Sequence, residues 1–237
     1  MKLQIKIHHL LICLLIFGCM SGQLTMAQTT IPGNVAFGPP TKGGLGGQII
    51  RVTNLEASGA GSLREALDTK GPRIVVFEVG GVIKLNKTIL LITEPFLTIA
   101  GQTAPNPGIT IIEGGFWINT HDVEIRHIRV RPGDAGEPKK SGWACDGLTT
   151  SGGNAYNIII DHCSFTWAVD ENLSASGRRT EGPDSTSHKI TFSNNIIAEG
   201  LNDSSHEKGP HSKGSLIHDF CRDIAIVGNL YAHNEMR

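Results

Sequence analysis

The 237-residue chain carries 21 Lys and Arg against 22 Asp and Glu, so no global field marks nucleic acid as its partner. Its 29 glycines and 5% aromatic content argue against a helical bundle and for a turn-rich all-β chain. A chain of this size is expected to form roughly one large domain or two small ones, with a sizeable buried core.

At the N-terminus, Lys2, Lys6, His8 and His9 precede an apolar run at 10–17, and Thr25-Met26-Ala27 offers small residues before Gln28. This pattern predicts an export signal over residues 1–27 and a mature domain over 28–237. The apolar run is too short to span a membrane comfortably, so the mature protein is expected to be soluble and secreted, extracellular or periplasmic. A lipid anchor on Cys19, directly after Gly18, is the alternative. Beyond the signal, Cys145, Cys163 and Cys221 remain, an odd number without the paired spacing of a zinc site. They allow one disulfide in an oxidising compartment or a set of buried free thiols.

Next, Gly43-Gly44-Leu45-Gly46-Gly47 leads into a strand, Gln48-Ile49-Ile50-Arg51-Val52. No Lys-Ser or Lys-Thr follows these glycines, which rules against a phosphate loop. Ser62, with Glu65 three residues on, predicts a capping box opening a short amphipathic helix through Leu67. Residues 74–79 and 81–85 read as two short strands parted by glycine.

From Leu97 a loose repeat begins. Leu97-Thr98-Ile99-Ala100-Gly101, Val123-Glu124-Ile125-Arg126-His127, Ile158-Ile159-Ile160-Asp161-His162, Ile190-Thr191-Phe192-Ser193-Asn194 and Ile224-Ala225-Ile226-Val227-Gly228 share the pattern apolar-x-apolar-x-polar. Second apolar groups follow, as at 128–130, 163–165 and 196–197. A period of about 25 to 35 residues is the scale of a solenoid. No helical spacing separates the strands, so the predicted fold is an all-β right-handed parallel β-helix with a short N-terminal capping helix. The sequence stops directly after a strand without a capping element, so truncation at the C-terminus is expected. Asn194 and Asn195 fall at a bend, where asparagine tolerates left-handed backbone and ladders with its neighbours. His127 and His162 occupy equivalent repeat positions and read as turn or core residues.

Four segments then carry a resemblance: Gly59-Ala60-Gly61-Ser62-Leu63-Arg64-Glu65-Ala66, Leu97-Thr98-Ile99-Ala100-Gly101-Gln102-Thr103-Ala104, Ile160-Asp161-His162-Cys163 and His211-Ser212-Lys213-Gly214-Ser215-Leu216. In this order they resemble the motifs of the pectate lyase superfamily, the β-helical polysaccharide lyases, and polysaccharide lyase family 1 in particular. The resemblance implies an exported enzyme, expected to be monomeric, that cleaves an acidic polysaccharide, polygalacturonate, by β-elimination with Ca²⁺. The C5 proton of a uronate is poorly acidic, so a metal and cations must neutralise the neighbouring carboxylate while a base removes the proton. Hard oxygen ligands suit Ca²⁺ for that task.

By the same resemblance, Asp146 matches an acidic metal ligand, and Asp170 matches the first member of an acid-x-x-x-acid pair. Ser174 stands at the second place of that pair, and Glu171 is the residue that would compensate. Lys213 matches a lysine that pairs with a substrate carboxylate, with His211 bracing the turn beside it. Arg237 matches the arginine placed beside C5, the candidate base, although a guanidinium normally stays protonated. Arg126, Arg129 and Arg131 form a basic cluster that either meets the polyanion or makes a structural stripe. A non-catalytic β-helical carbohydrate-binding or adhesion protein is the alternative function. A lyase for methyl-esterified pectin, needing no metal, fits the acidic residues less well.

Overall fold

A computed structural model describes residues 41–211 and 213–235. The export segment, Cys19, Ser212 and Arg237 lie outside the described residues. In chain order the elements are β1 (Gln48–Val52), α1 (Leu63–Asp68), β2 (Arg73–Phe77), β3 (Gly81–Lys84), β4 (Leu90–Ile92), β5 (Leu97–Ala100), β6 (Ile109–Ile112), β7 (Phe116–Ile118), β8 (Val123–Arg126) and β9 (Ile128–Arg131). They continue with β10 (Leu148–Ser151), β11 (Tyr156–Asp161), β12 (Ser164–Thr166), β13 (Leu173–Ser176), β14 (His188–Ser193), β15 (Ile196–Ala198), β16 (Arg222–Val227) and β17 (Leu230–Ala232).

Every strand pairing is parallel, and the strands form three sheets, ordered β1-β2-β5-β8-β11-β14-β16, β17-β15-β12-β9-β6-β3 and β13-β10-β7-β4. The chain is a right-handed parallel β-helix, the hand that parallel crossovers almost always take. The five repeats beginning at Leu97 supply β5, β8, β11, β14 and β16 of the first sheet. Their second apolar groups supply β9, β12 and β15 of the second.

The repeat works because its inward residues stack in register. Val75, Ile99, Ile125, Ile160 and Phe192 pair in succession across the first sheet. All five are fully buried. They form one apolar column, each residue covering the next about 4.8 Å away along the axis. Helix α1 buries Leu63, Ala66 and Leu67, and Ser62 Oγ accepts the Glu65 amide at 3.2 Å. The Glu65 carboxylate accepts from Gly61 N–H at 2.7 Å, one residue earlier than a capping box requires. Fully buried Arg73 donates to the carbonyls of Ala66, Leu67, Gly71, Glu94 and Pro95, so the last turn of α1 is capped by a guanidinium.

The bends explain the polar ends of the repeats. His127, His162, Asn194 and Gly228 fall at the same place on successive coils with φ of 54, 52, 56 and 67°. This left-handed conformation turns the chain from the first sheet into the second. His127 and His162 are exposed and stack at 5.2 Å, so they are turn residues, outside the core. Asn195 is the ladder residue: its Oδ1 accepts from Cys163 N–H at 2.8 Å, and its Nδ2 donates to Ile160 O and Asn229 Oδ1, both at 3.0 Å. Asn195→Ala strands the Cys163 amide and the Ile160 carbonyl in the interior. It should cost about 3 kcal/mol, read as a lower urea midpoint.

The bend also separates the basic cluster. Arg126 ends β8 on the first sheet, pairing with Asp161 at 3.2 Å and with Glu124. Arg129 and Arg131 lie on β9 of the second sheet and donate to Thr110 Oγ1, Pro107 O, Val130 O and Ser164. These arginines brace the coils and make no common surface. The three described cysteines are free thiols, and Cys145 and Cys163 are buried. Burial pushes the Cys163 thiol up to about 12, which leaves it unreactive.

Candidate metal and substrate site

The third sheet positions the site. Leu148 of β10 is level with Leu173 of β13, which puts Asp146 level with Glu171 two residues earlier. Glu171 is in turn bridged in parallel to Lys213. Asp146, Glu171 and Lys213 therefore stand on three successive rungs. The backbone N–H of Glu171 donates to Asp146 Oδ1 at 3.2 Å, and Asn172 N–H donates to Lys213 O at 3.2 Å. Asp170 precedes Glu171 in a tight bend whose Val169 and Asp170 amides both point at Cys145 O.

Asp146, Asp170 and Glu171 each offer a carboxylate oxygen within 4.8 Å of the other two. Burial, reinforced by the charge of Asp170, pushes the Asp146 carboxyl up to about 7. Burial, with repulsion from Asp146 and Asp170, pushes Glu171 up to about 8. Lys213 Nζ lies 3.7 Å from Glu171 Oε1 and opposes both shifts. One ammonium against three carboxylates leaves a site that a divalent cation would balance. Oxygens bound at about 2.4 Å to one ion can be at most about 4.8 Å apart, so the cluster fits Ca²⁺ in donor type and span.

The sign of the pH dependence follows. Both carboxyls hold protons in the folded chain at a pH where the unfolded chain has released them, so the pair costs stability as pH rises from about 4 toward 8. Cation binding must displace those protons. Affinity for Ca²⁺ should be full above pH 8 and fall below pH 7 by about tenfold per pH unit for each proton displaced. Calorimetry at pH 6 and pH 8.5 in buffers of different ionisation enthalpy measures both the affinity and the protons released.

Two histidines lie behind Asp170. His211 Nε2 approaches Asp170 Oδ1 to 2.7 Å, and His206 Nε2 lies 3.6 Å from Oδ2. The His211 contact is close but out of line, so Oδ1 has no directed hydrogen bond. Burial lowers the His211 pKa, favouring neutral imidazole. His206 Nδ1 accepts from Lys208 N–H at 3.1 Å, which leaves its proton on Nε2, facing Asp170. Asp170, His206 and His211 also lie within metal-ligand reach of one another. The two histidine rings stack at 3.7 Å and 22°, and the Nε2 atoms of both face the Asp170 carboxylate. They act as backing for Asp170.

Ser174 is buried, and its Oγ accepts the Leu216 amide at 3.1 Å. It fixes the next coil and adds no charge, while Glu171 supplies the third carboxylate. Around the cluster runs a groove of about 610 Å³, lined also by Ile89, Trp117, Trp143, Arg179 and Lys208. Asp146, Asp170, Glu171 and Lys213, each singled out in the sequence, lie together here, and His211 touches Asp170. His206, Trp117 and Trp143 were not anticipated. Trp117 had a signal, a large aromatic at the outward place of an apolar-x-apolar triplet. His206 lies in a loop without periodicity and had none. Among the described residues no helix is long and apolar enough to cross a membrane.

No family model matches the chain. It is 40% identical over 214 residues to a protein of Emericella nidulans named "Probable pectate lyase C", covering 90% of this chain and 45% of that protein. Proteins of the same name from Aspergillus terreus and Neosartorya fischeri are 39% and 38% identical, covering 89% and 91% of this chain and 44% and 45% of theirs. The chain therefore spans a little under half the length of these relatives. Among solved structures, Jun a 1, the major allergen from cedar pollen, superposes with a TM-score of 0.55 at 20% identity, over 82% of this chain and 56% of that one.

Proposed function

We propose, from the relationship of this chain to the pectate lyases over 90% of its length, that it cleaves polygalacturonate by Ca²⁺-assisted β-elimination outside the cytoplasm. The observation that supports this reading is the convergence of three carboxylates and one lysine, from successive rungs, in one groove. Asp146, Asp170 and Glu171 would hold the ion. Bound there, Ca²⁺ would neutralise a uronate carboxylate and so acidify the proton on C5.

The chain's own residues supply the rest. Glu171 is the one ion-pair partner of Lys213 among the described residues. With Glu171 committed to a cation, the ammonium is free to meet a substrate carboxylate and hold its charge as the proton leaves. Asp170, backed by His206 and His211, keeps its carboxylate turned toward Asp146 and Glu171. Arg237 is proposed as the cation beside C5, stabilising developing charge or taking the proton. The C4–O bond then breaks, and the leaving oxygen takes a proton, giving an unsaturated sugar end.

The uncharged Ser174 favours a second reading, a β-helix that holds the polymer without cleaving it. Incubation with polygalacturonate separates the two. The enzyme reading expects ultraviolet absorbance of the unsaturated product to rise with Ca²⁺, stop with a chelator and return when Ca²⁺ is restored. Binding of the polymer with no rise would leave the binding reading.

A further inference from the structure

The outward column of the third sheet runs Leu91, Trp117, Thr149, Ser174. It changes character along its length. Thr149 and Ser174 are buried, whereas Leu91 and Trp117 are 49% and 44% exposed. The Trp117 indole faces the groove beside Ile89. Among the described residues its N–H has no hydrogen-bond partner, unlike that of Trp143, which donates to Gly133 O at 3.1 Å. Nearby Arg64 donates to Ile89 O and Thr88 Oγ1, both at 2.8 Å, and to Ala57 O at 3.1 Å, so its guanidinium is held against the coils.

The geometry points to a second subsite here, in which Trp117 stacks on the face of a pyranose ring and does not require that ring's carboxyl to be charged. The assignment rests on the reading that the groove holds a uronate polymer. Trp117 lies one rung from Asp146 and three residues along the strand, about 11 Å by strand spacing. One sugar unit meets the carboxylates while another unit of the same chain meets the indole. An aromatic face binds the C–H face of a sugar through dispersion and burial, and both act equally on a free acid and a methyl ester. The groove should therefore take polymers in which units flanking a free uronate are esterified, with Lys213 demanding charge and Trp117 indifferent to it.

The test is calorimetry of the full chain with Ca²⁺ and oligogalacturonates, either unesterified or methyl-esterified on all but one unit. Trp117→Ala should weaken both ligands by the same factor, about tenfold, and Trp117→Phe should restore most of it. Lys213→Ala serves as the control for the charge-dependent end. Thermal melting checks that each variant folds; as an outward residue, Trp117 leaves the core intact. Unchanged affinity in Trp117→Ala while Lys213→Ala weakens binding would overturn the subsite and leave the groove reading standing. A Trp117→Ala loss confined to the unesterified ligand would also overturn it. Absence of binding by the unmodified chain would overturn both.

Discussion

Asp170→Asn should weaken calcium binding by about 3 kcal/mol, roughly a hundredfold in affinity. Asp170 stands between its fellow carboxylates Asp146 and Glu171 on one side and the backing histidines His206 and His211 on the other. The amide keeps the shape and removes one charge of three, and ligand charge sets affinity at such sites. A second consequence separates this account from general damage. Repulsion from Asp170 helps raise both Asp146 and Glu171, so in Asp170→Asn both carboxyls should titrate closer to the ordinary range. The cation-free variant should then lose less stability between pH 5 and pH 8 than the parent. Calcium affinity within threefold of the parent would mean that Asp170 is not a ligand.

Lys213→Ala should destabilise the cation-free protein by about 1 to 2 kcal/mol at pH 8, because Asp146 and Glu171, which titrate at about 7 and about 8, lose the ammonium that favours their ionised forms and take up protons instead. The side chains of Lys213 and Glu171 are only 11% and 8% exposed, so water screens the pair little. The loss depends on pH in a stated direction. Lys213 holds Glu171 and Asp146 down; without it both rise further, and at pH 6 they are protonated and need no counter-charge. The destabilisation should shrink toward pH 6 and also shrink at pH 8 when Ca²⁺ is added. Urea unfolding at the two pH values, with and without Ca²⁺, measures all four cases. A loss that is the same in each would mean that Lys213 acts through packing alone.

The first and second sheets were legible because one face of each repeat is apolar. In β8, Val123 and Ile125 face inward while Glu124 is only partly buried, and the same alternation recurs in β5 and in β9 of the second sheet. The β10–β13 end of the third sheet was not legible, although it builds the site. In β13, Leu173, Ser174 and Ala175 are all buried, and β10 begins with three buried residues. With both faces covered, the period-2 signal disappears. The acidic residues were found through motif resemblance, but their meeting depends on loop lengths. Asp146 and Glu171 are 25 residues apart, and Ser174 and Leu216, one strand further on, are 42 apart. Only closure of whole coils brings such positions level. The arginines failed in the opposite sense. Arg126, Arg129 and Arg131 look like one stripe in sequence, yet the left-handed His127 between them, at φ 54°, sends Arg126 onto one sheet and the other two onto the next.

Calcium titration by calorimetry at pH 8.5, with and without trigalacturonate, tests the central claim most directly. Three protein carboxylates leave coordination places for sugar oxygens, so weak binding alone should tighten by at least about tenfold with the sugar present, a gain of roughly 1.4 kcal/mol. Reciprocal tightening of the sugar by Ca²⁺, by the same factor, must accompany it. Calcium affinity that is unchanged by the sugar, or that survives the double replacement Asp146→Ala and Asp170→Ala, would contradict a metal site shared between this groove and a uronate.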